Sequence, residues 1–455
     1  MSLFGRALVV AITAALMLPL GTPPGAASYD TAGNLASHKA EGNAVTDWSL
    51  IAQTAIAEGR PPGSSQVVHG IVHAAMYDAV IAIEGGFDPY AISPEVDRPA
   101  SPAAAVAAAA HDVLVARVPA QAPYVDARYE EYLNAIPDRP AKTNGIAVGR
   151  AVAAGIITLR ADDGFDNDVP YVQPAPGPGV FEPTPPPANP VDVKLAQVRP
   201  LTFESPSRFR PGGPARLAGR RYAADLAEVA ALGRADSTVR TPEQTDIARF
   251  WAENTHIQWN RNLRQLAIDQ RLDLVATARM MALTHVAAAD AVIGCFDAKY
   301  HYLFWRPVHA IARADTDGNP ATKPDPTWAP LLIVNHPEYP SAHGCWTKAV
   351  TDTLAAFFGT DRVALTLDST VTGTSRTYRR FSAAMREVFV ARIYAGLHFR
   401  DSMVDGQALG QRVARHVVCN FFQPVDHSEV KAAHPRRECR ARRHSATATD
   451  TLGAP

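Results

Sequence analysis

Helical periodicity over most of the chain is the feature that most limits its fold. Apolar residues recur every three to four positions from Val45 onward, as in the run Trp346, Val350, Leu354 and Phe358. The alternation of apolar and polar residues that would indicate strands is scarce. The pattern therefore predicts an all-α fold, in which amphipathic helices bury one face against each other.

A proline-dense segment interrupts this pattern at residues 169–214. Proline lacks the backbone N–H and clashes with the preceding helical turn, so the segment is neither a regular helix nor a central strand. It is either a linker between two helical halves or a long loop over an active site. The predicted parts are a signal peptide (1–27), an N-terminal helical half (28–168), the Pro-rich loop or linker (169–214), a C-terminal helical half with the site (215–425) and a basic tail expected to be disordered (426–455).

The first residues have the pattern of a secretory signal. Arg6 precedes an apolar run over residues 7–20, and Gly25, Ala26 and Ala27 fit a cleavage site. No later uninterrupted apolar run reaches the about 18 to 20 residues that span a bilayer. We therefore expect a secreted or extracytoplasmic soluble protein, exported by a Sec-type signal peptide, without a membrane partner.

Charge and cysteine content exclude some partners and some kinds of metal site. The formal net charge is -1 at pH 7, which gives no support for nucleic acid as a partner. No Cys-x-x-Cys spacing occurs, so a thiolate metal site is not expected. An even number of cysteines permits disulfides in an exported protein, but three pairings are possible for Cys295, Cys345, Cys419 and Cys439. The sequence leaves this pairing and any homo-oligomer open.

Two histidines lie four residues apart in the first helical region. His69 and His73 have the spacing of a helical metal pair, but the third ligand of an H-E-x-x-H motif does not follow. Alanine-rich sequence surrounds both residues. This context favours core or structural histidines over a metal pair.

The stretch His336–Gly344 predicts a loop that becomes a helix. Pro337 and Pro340 favour an extended entry, and Ser341 is a suitable helix N-cap. Backbone N–H groups at such a helix start bind anions, and the Ser341 hydroxyl and His343 imidazole lie beside them. By itself this stretch is more typical of an ordinary capped helix.

Two further stretches add three cations and a second imidazole. Lys299 and Arg306 belong to an aromatic-rich segment, and the proline after Arg306 predicts that the helix ends there. Arg392 and His398 flank Gly396, which predicts a bend that places His398 on a loop. Together, the cations, imidazoles, hydroxyl and helix start describe a site for a tetrahedral oxyanion. These groups do not distinguish phosphate from vanadate.

Three motifs occur in one order along the chain: K-x6-R-P, then P-S-x-H, then R-x5-H. This order resembles the superfamily of vanadium-dependent haloperoxidases and type 2 phosphatidic acid phosphatases. Residues 72–79, residues 294–308 and the His336–Gly344 loop are similar to exported bacterial haloperoxidase-like members. The resemblance extends over roughly residues 45–425.

The resemblance implies a role for each matching position. His398 would be the ligand to vanadium, or the phosphorylated nucleophile of a phosphatase, and His343 would be the acid–base group. Lys299 would also be catalytic, because it would polarise the oxygen of bound peroxide. His336 would flank a halide pocket, as in bromoperoxidases. The oxyanion would be bound by Lys299, Arg306, Arg392, Ser341 and the amide of Gly344.

The implied function is that of a vanadate-dependent haloperoxidase, which oxidises halide with hydrogen peroxide to hypohalous acid that attacks a small organic acceptor. Vanadate would be the cofactor, and phosphate would compete for the site. The alternative is an exported acid phosphatase that uses the same pocket through a phosphohistidine. A third class is a phosphate-binding or scaffold protein without catalysis. The aromatic-rich Lys299 motif and the absence of predicted membrane spans favour the haloperoxidase, while the halide stays open.

Three positions depart from the family's pattern. Ala342 stands where glycine is usual, Ala391 where serine is usual, and Ser402 where phosphatases often have aspartate. An aspartate lies one residue earlier, at Asp401. We therefore expect Asp401 or a backbone carbonyl to orient His398.

Overall fold

The computed structural model describes residues 42–58, 60–184, 189–425 and 439. Within these ranges the chain forms 13 α-helices and one two-stranded sheet, which confirms the predicted all-α fold. The predicted signal peptide and nearly all of the basic tail lie outside the described residues. The predicted division into two halves stays a prediction.

The elements are numbered here in chain order. Before the proline-rich segment lie α1 (Ala44–Ala57), α2 (Pro62–Glu84), α3 (Pro102–Arg117), α4 (Ala122–Asn134) and α5 (Pro140–Leu159). After it lie α6 (Arg220–Leu232), α7 (Pro242–Phe250), α8 (Thr255–Asp269), α9 (Leu274–Tyr302) and α10 (Pro307–Ala312). The last elements are α11 (Ala342–Phe358), the antiparallel strands β1 (Leu365–Ser369) and β2 (Thr374–Tyr378), α12 (Phe381–Tyr394) and α13 (Arg400–Asn420).

Two regions with continuous helical periodicity are each divided by a break. The region from Val45 to Ile83 contains α1 and α2, because Pro62 cannot continue a helix and occupies the first turn of a new one. The region over residues 260–297 contains α8 and α9, because the Asp273 side chain caps a new helix start. The periodicity did not predict the hairpin of β1 and β2, whose strands have five residues each.

One hydrophobic core contains residues from both sides of the proline-rich segment. Helices α2 and α9 pack against each other within it. Both are long and apolar enough to cross a bilayer, but their most apolar windows are 94% and 100% buried inside the protein. Their hydropathy is therefore accounted for by packing against neighbouring helices.

The described part of the proline-rich segment is anchored to the bundle. The backbone N–H groups of Leu201 and Thr202 donate to the buried carboxylate of Asp290 in α9, at 2.5 and 3.1 Å. Upstream, Val191 and Asp192 line the cavity that holds the predicted site residues. Part of the segment therefore borders this cavity.

Candidate active site

The start of α11 has the structure that the sequence predicts. Ser341 is the N-cap, with an extended backbone, and its hydroxyl accepts a hydrogen bond from the Gly344 N–H at 3.4 Å. Gly359 ends the helix in the left-handed region, with φ 67°. The predicted cap is thus confirmed, and the Gly344 amide has a long hydrogen bond to its own cap.

His398 is held by a carboxylate that the motifs did not identify. The Glu338 Oε1 atom accepts hydrogen bonds from His398 Nδ1 at 2.9 Å and from the Phe399 N–H at 3.0 Å. Glu338 and His398 are both buried. Because Nδ1 donates to the carboxylate, the lone pair of His398 is at Nε2, which lies 3.3 Å from an Arg306 nitrogen.

The expectation that Asp401 or a backbone carbonyl orients His398 is wrong. The Asp401 carboxylate pairs with Arg221 and accepts a hydrogen bond from the backbone N–H of Ala215, the first residue after the proline-rich segment. Ser402 lies on the His398 side, with its hydroxyl 3.4 Å from Nδ1. The signal for the true partner was present in the sequence, because Glu338 is the only carboxylate within the His336–Gly344 stretch.

Lys299 is buried near the end of α9. Its Nζ donates to the backbone carbonyls of Pro337 and Glu338, at 2.7 and 3.0 Å. An ammonium group has three donors, so one N–H remains for a ligand. Burial lowers the pKa of Lys299 to about 8, and the nearby Arg306 cation lowers it too.

Arg306 joins several parts of the site. Its Nη1 donates to the Leu397 carbonyl at 2.8 Å, and its Nη2 lies 2.8 Å from His336 Nδ1. Arginine only donates, so His336 accepts through Nδ1. Burial lowers the pKa of Arg306 to about 10, although the Glu338 carboxylate opposes this shift.

Arg392 lies in the last turn of α12 and is buried. Its Nη1 donates to the Trp251 carbonyl at 2.9 Å, while its buried Nε has no hydrogen-bond partner among the described residues. Burial and the Arg306 cation lower the pKa of Arg392. A buried, partly unsatisfied guanidinium beside another cation is a position that a bound anion would stabilise.

Burial favours the neutral form of His343 and of His398. Burial holds the pKa of His343 well below its usual range, and Arg392, Lys299 and Arg306 lower it further. Burial is also the largest cause that lowers the pKa of His398, and the same three cations lower it further. The His343 Nε2 atom lies 3.1 Å from the hydroxyl of Thr255. Neutral imidazoles can ligate a metal or accept a proton.

These groups border a cavity of about 330 Å³. His336, His343, Arg392 and His398 are among the residues that line it, whereas Lys299, Arg306, Ser341 and Gly344 are not. The apolar part of the wall consists of Val191, Val292, Phe296, Val334, Ala342 and Trp346. The cavity thus has one cationic end and one apolar side.

The residues at the cationic end fit a tetrahedral oxyanion. Three buried cations, Lys299, Arg306 and Arg392, act on the same imidazoles. The carboxylate hydrogen-bonded to His398 is Glu338, whose pKa burial raises to about 7 while the Arg306 and Lys299 cations oppose the rise. Two other carboxylates, Asp192 and Glu253, line the cavity. Glu253 pairs with Arg261, and Asp192 accepts hydrogen bonds from the Gly63 and Ser64 N–H groups. These three buried cations outnumber the Glu338 carboxylate that is hydrogen-bonded to His398, and the Nε2 lone pair of His398 remains to act as a ligand.

A second group of histidines lies in the core and is not among the residues that line the cavity. His69, His73 and His285 are buried, with ring nitrogens within 4.8 Å of one another, and His256 adjoins His69. The His73 and His285 rings stack at 4.0 Å with an interplanar angle of 17°. The ligand atoms of His69, His73 and His285 are close enough to hold one metal ion, and the buried Nδ1 of His69 and Nε2 of His285 have no hydrogen-bond partner among the described residues.

Comparisons with known sequences point to one family. Residues 279–427 match the family model of the VCPO second helical-bundle domain. Vanadium chloroperoxidase of Curvularia inaequalis is 29% identical over 150 residues, which is 27% of this chain and 24% of that protein. The chain thus matches only about a quarter of the length of this curated relative.

Comparisons with solved structures agree at the level of the fold. The first bacterial vanadium-dependent iodoperoxidase has a TM-score of 0.73 at 22% identity, covering 84% of this chain and 97% of that chain. A holo-type bacterial vanadium-dependent chloroperoxidase has a TM-score of 0.64 at 16% identity, covering 80% and 92%. The chain thus shares the fold of these vanadium-dependent haloperoxidases over most of its length, and its sequence is similar to the VCPO second helical-bundle domain over residues 279–427.

Proposed function

We propose that this protein is a vanadate-dependent haloperoxidase, which oxidises halide with hydrogen peroxide to hypohalous acid. The proposal rests on one arrangement: buried Lys299, Arg306 and Arg392 around His398, whose Nε2 carries the lone pair because Glu338 holds Nδ1. The family of the matched relatives supports the same assignment.

Vanadate suits the donors of this site. His398 Nε2 would be its protein ligand, and the three cations with the Ser341 hydroxyl and Gly344 amide would bind its oxygens. When bound, vanadate supplies Lewis-acid activation of hydrogen peroxide without a change in its own oxidation state. Phosphate has the same shape and would compete for these donors.

The chain's own residues would handle protons and charge. His343 is neutral and lies beside the Thr255 hydroxyl, so it can accept a proton from incoming hydrogen peroxide. The same proton can return to the oxygen that leaves as water when the other oxygen passes to the halide. The hypohalite formed then takes one proton from solvent to become hypohalous acid. Lys299 has one donor left after its two carbonyl bonds, and this donor can stabilise negative charge on an oxygen at the site.

The remaining cavity wall suits the other reactants. His336 and Phe296 pack together at 5.3 Å between ring centroids and both line the cavity. We propose that a polarisable halide and a small organic acceptor enter along this aromatic and apolar side. The sequence pattern of residues 1–27 supports the further proposal that the protein is exported.

The test uses purified apo-protein, orthovanadate and hydrogen peroxide, with iodide, bromide or chloride and a phenolic acceptor. Halogenation should require vanadate and should be lost in His398→Ala. Asp401→Asn is the control, because Asp401 pairs with Arg221 and not with His398. Its activity should remain.

Other outcomes would reassign the protein. Hydrolysis of phosphate esters that vanadate inhibits, without halogenation, would identify the acid phosphatase and leave the site residues unchanged. Phosphate binding without either activity would identify a binding protein.

A further inference from the structure

The two cysteines that are not disulfide-bonded lie against each other in the core. Cys419 and Cys439 form a disulfide. Cys295 in α9 and Cys345 in α11 are free and buried, with their Sγ atoms 2.6 Å apart. Ordinary non-bonded contacts lie at about 3.5–4.0 Å. The fold has thus brought two thiols much closer than packing alone requires.

We propose that Cys295 and Cys345 form a second disulfide, which joins the two helices on which the oxyanion site is built. Cys295 precedes Lys299 by about one helical turn, and its thiol donates to the Pro340 carbonyl at 3.6 Å. The Cys345 N–H donates to the Ser341 carbonyl at 3.0 Å, in the first turn of α11. The bond would connect the side of the pocket that holds Lys299 with the side that holds the helix start.

The oxidation balances with a peroxide as the two-electron oxidant. One thiol takes an oxygen from hydrogen peroxide to become a sulfenic acid, and a water leaves. The second thiol attacks that sulfur, the S–S bond forms, and the oxygen leaves as a second water. The proposal does not rest on the haloperoxidase assignment, because disulfide exchange with an oxidised dithiol produces the same bond.

The bond would matter because the site is electrostatically strained without an anion. Lys299, Arg306 and Arg392 are all buried. Burial is the largest cause that lowers the pKa of Lys299 and of Arg392, and the Arg306 cation lowers both further. Lys299 reaches from α9 to the carbonyls of Pro337 and Glu338, just before α11. A covalent link between the helices would hold these groups together against their repulsion. The oxidised protein should therefore bind oxyanions more tightly than the reduced protein.

The first experiment counts thiols in the full chain with Cys419→Ser and Cys439→Ser, which keeps only the inner pair. When the reduced protein is unfolded in the presence of iodoacetamide, it should gain two alkyl groups. After the folded protein has been treated with hydrogen peroxide, it should gain none and should lose the mass of two hydrogen atoms. Proteolysis should release the Cys295 and Cys345 peptides as one species that reduction separates. Two alkylated thiols, or sulfinic acids without this species, would overturn the proposal.

The second experiment measures the effect on the site. Inorganic phosphate is the probe, because reductants also reduce vanadate, and calorimetry gives its affinity for the oxidised and reduced protein. Reduction should weaken binding several-fold in the wild type and in the variant that lacks Cys419 and Cys439. It should have no effect when Cys295 and Cys345 are both serine. Equal affinities in the two redox states, with the cross-link verified by mass, would overturn the assigned role whatever the halogenation assay shows.

Discussion

Glu338 sets the proton position on His398 through the hydrogen bond at Nδ1. The ring therefore presents a lone pair at Nε2, toward Arg306. Glu338 does not itself line the cavity, and its Oε2 is buried without a partner among the described residues. At the scale of single residues, Glu338 is thus a positioning residue that acts through His398.

Replacement of Glu338 with glutamine should weaken orthovanadate binding about 10- to 100-fold, because the charge that increases the basicity of His398 is lost. Inorganic phosphate binds through charge and hydrogen bonds, so its affinity should stay equal or increase when an opposing negative charge is removed. Equilibrium dialysis with each anion measures both effects. If the two anions are weakened equally, the variant has a general structural defect and the assigned role is wrong.

Lys299 should make oxyanion binding sensitive to alkaline pH. Its pKa is lowered to about 8 by burial in the anion-free protein, and only the protonated ammonium attracts the anion. Affinity should therefore fall as pH rises through this value, by up to about tenfold per pH unit. Phosphate binding measured from about pH 7.5 to 8.5 tests this, because the pKa of Arg392, lowered to about 9, and that of Arg306, lowered to about 10, lie above this range.

The matched variant for this measurement is Lys299→Met, which keeps the side-chain volume and removes the titrating group. It should bind phosphate more weakly near neutral pH and show a flatter pH dependence. An alkaline slope as steep as that of the wild type would show that another group is responsible.

At the scale of elements, close packing of α11 and α13 positions the helix start of the site. A Cβ added at Gly406 of α13 would lie 2.7 Å from the Ser341 carbonyl oxygen, closer than atoms of that kind approach. A Cβ at Gly410 would overlap the Cys345 carbonyl oxygen. Glycine at these positions thus lets the backbone of α13 contact the first turn of α11.

The variant Gly406→Ala should lower the free energy of unfolding by about 1–3 kcal/mol, because the helices must separate. It should also weaken phosphate binding, since Ser341 would move. Gly294→Ala in α9 is the control: its Cβ would meet the Pro206 carbonyl oxygen at 3.4 Å, an ordinary contact. Alanine there should be neutral or stabilising by up to about 1 kcal/mol. Urea unfolding of both variants tests the expectation, which fails if they lose equal stability.

At the scale of the whole molecule, four buried histidines join three helices of the core. His69 and His73 lie in α2, His256 in α8 and His285 in α9. Burial lowers the pKa of each of them, to about 3 for His73 and His256. The folded protein therefore keeps these rings neutral, whereas the unfolded chain takes up protons below about pH 6.5.

Acid should destabilise the wild type more steeply than a His73→Gln variant. A folded pKa below the unfolded value means that stability is lost as pH falls through about 6.5, by about 1.4 kcal/mol per pH unit for one histidine. Buried Asp78 and Asp290 act in the opposite sense, since burial raises the pKa of each to about 6. The measurement is therefore made by urea unfolding of both proteins at several pH values from about 6.5 to 4.5. The slope of the free energy of unfolding against pH is then compared between them.

His111→Gln is a control that should change the pH dependence of stability in the opposite direction. Burial lowers the pKa of His111, but hydrogen bonds to Asp112 and Asp126 outweigh it and raise the pKa overall. This histidine stabilises the fold at low pH, so its removal should make the acid slope steeper. Parallel slopes for all three proteins would contradict the account of the core histidines.

Local sequence patterns are enough to predict the helical architecture, the helix start at Ser341 and the bend at Gly396. The cap at Ser341 and the left-handed glycines at Gly359 and Gly396 were predictable, because capping and turn geometry depend on a few adjacent residues. The three ordered motifs also identified His343, Arg392 and His398, which line one cavity, and the buried cations Lys299 and Arg306. The roles of these groups remain proposals.

Which side chains contact each other across the chain follows from tertiary packing and not from local sequence. Glu338 and His398 are 60 positions apart, and Cys295 and Cys345 are 50 apart. The core histidines come from three separate helices, so the spacing of His69 and His73 could not reveal the group. Such contacts depend on how helices cross and how closely their faces approach. These quantities follow from the packing of all side chains at each interface, and no local periodicity encodes them.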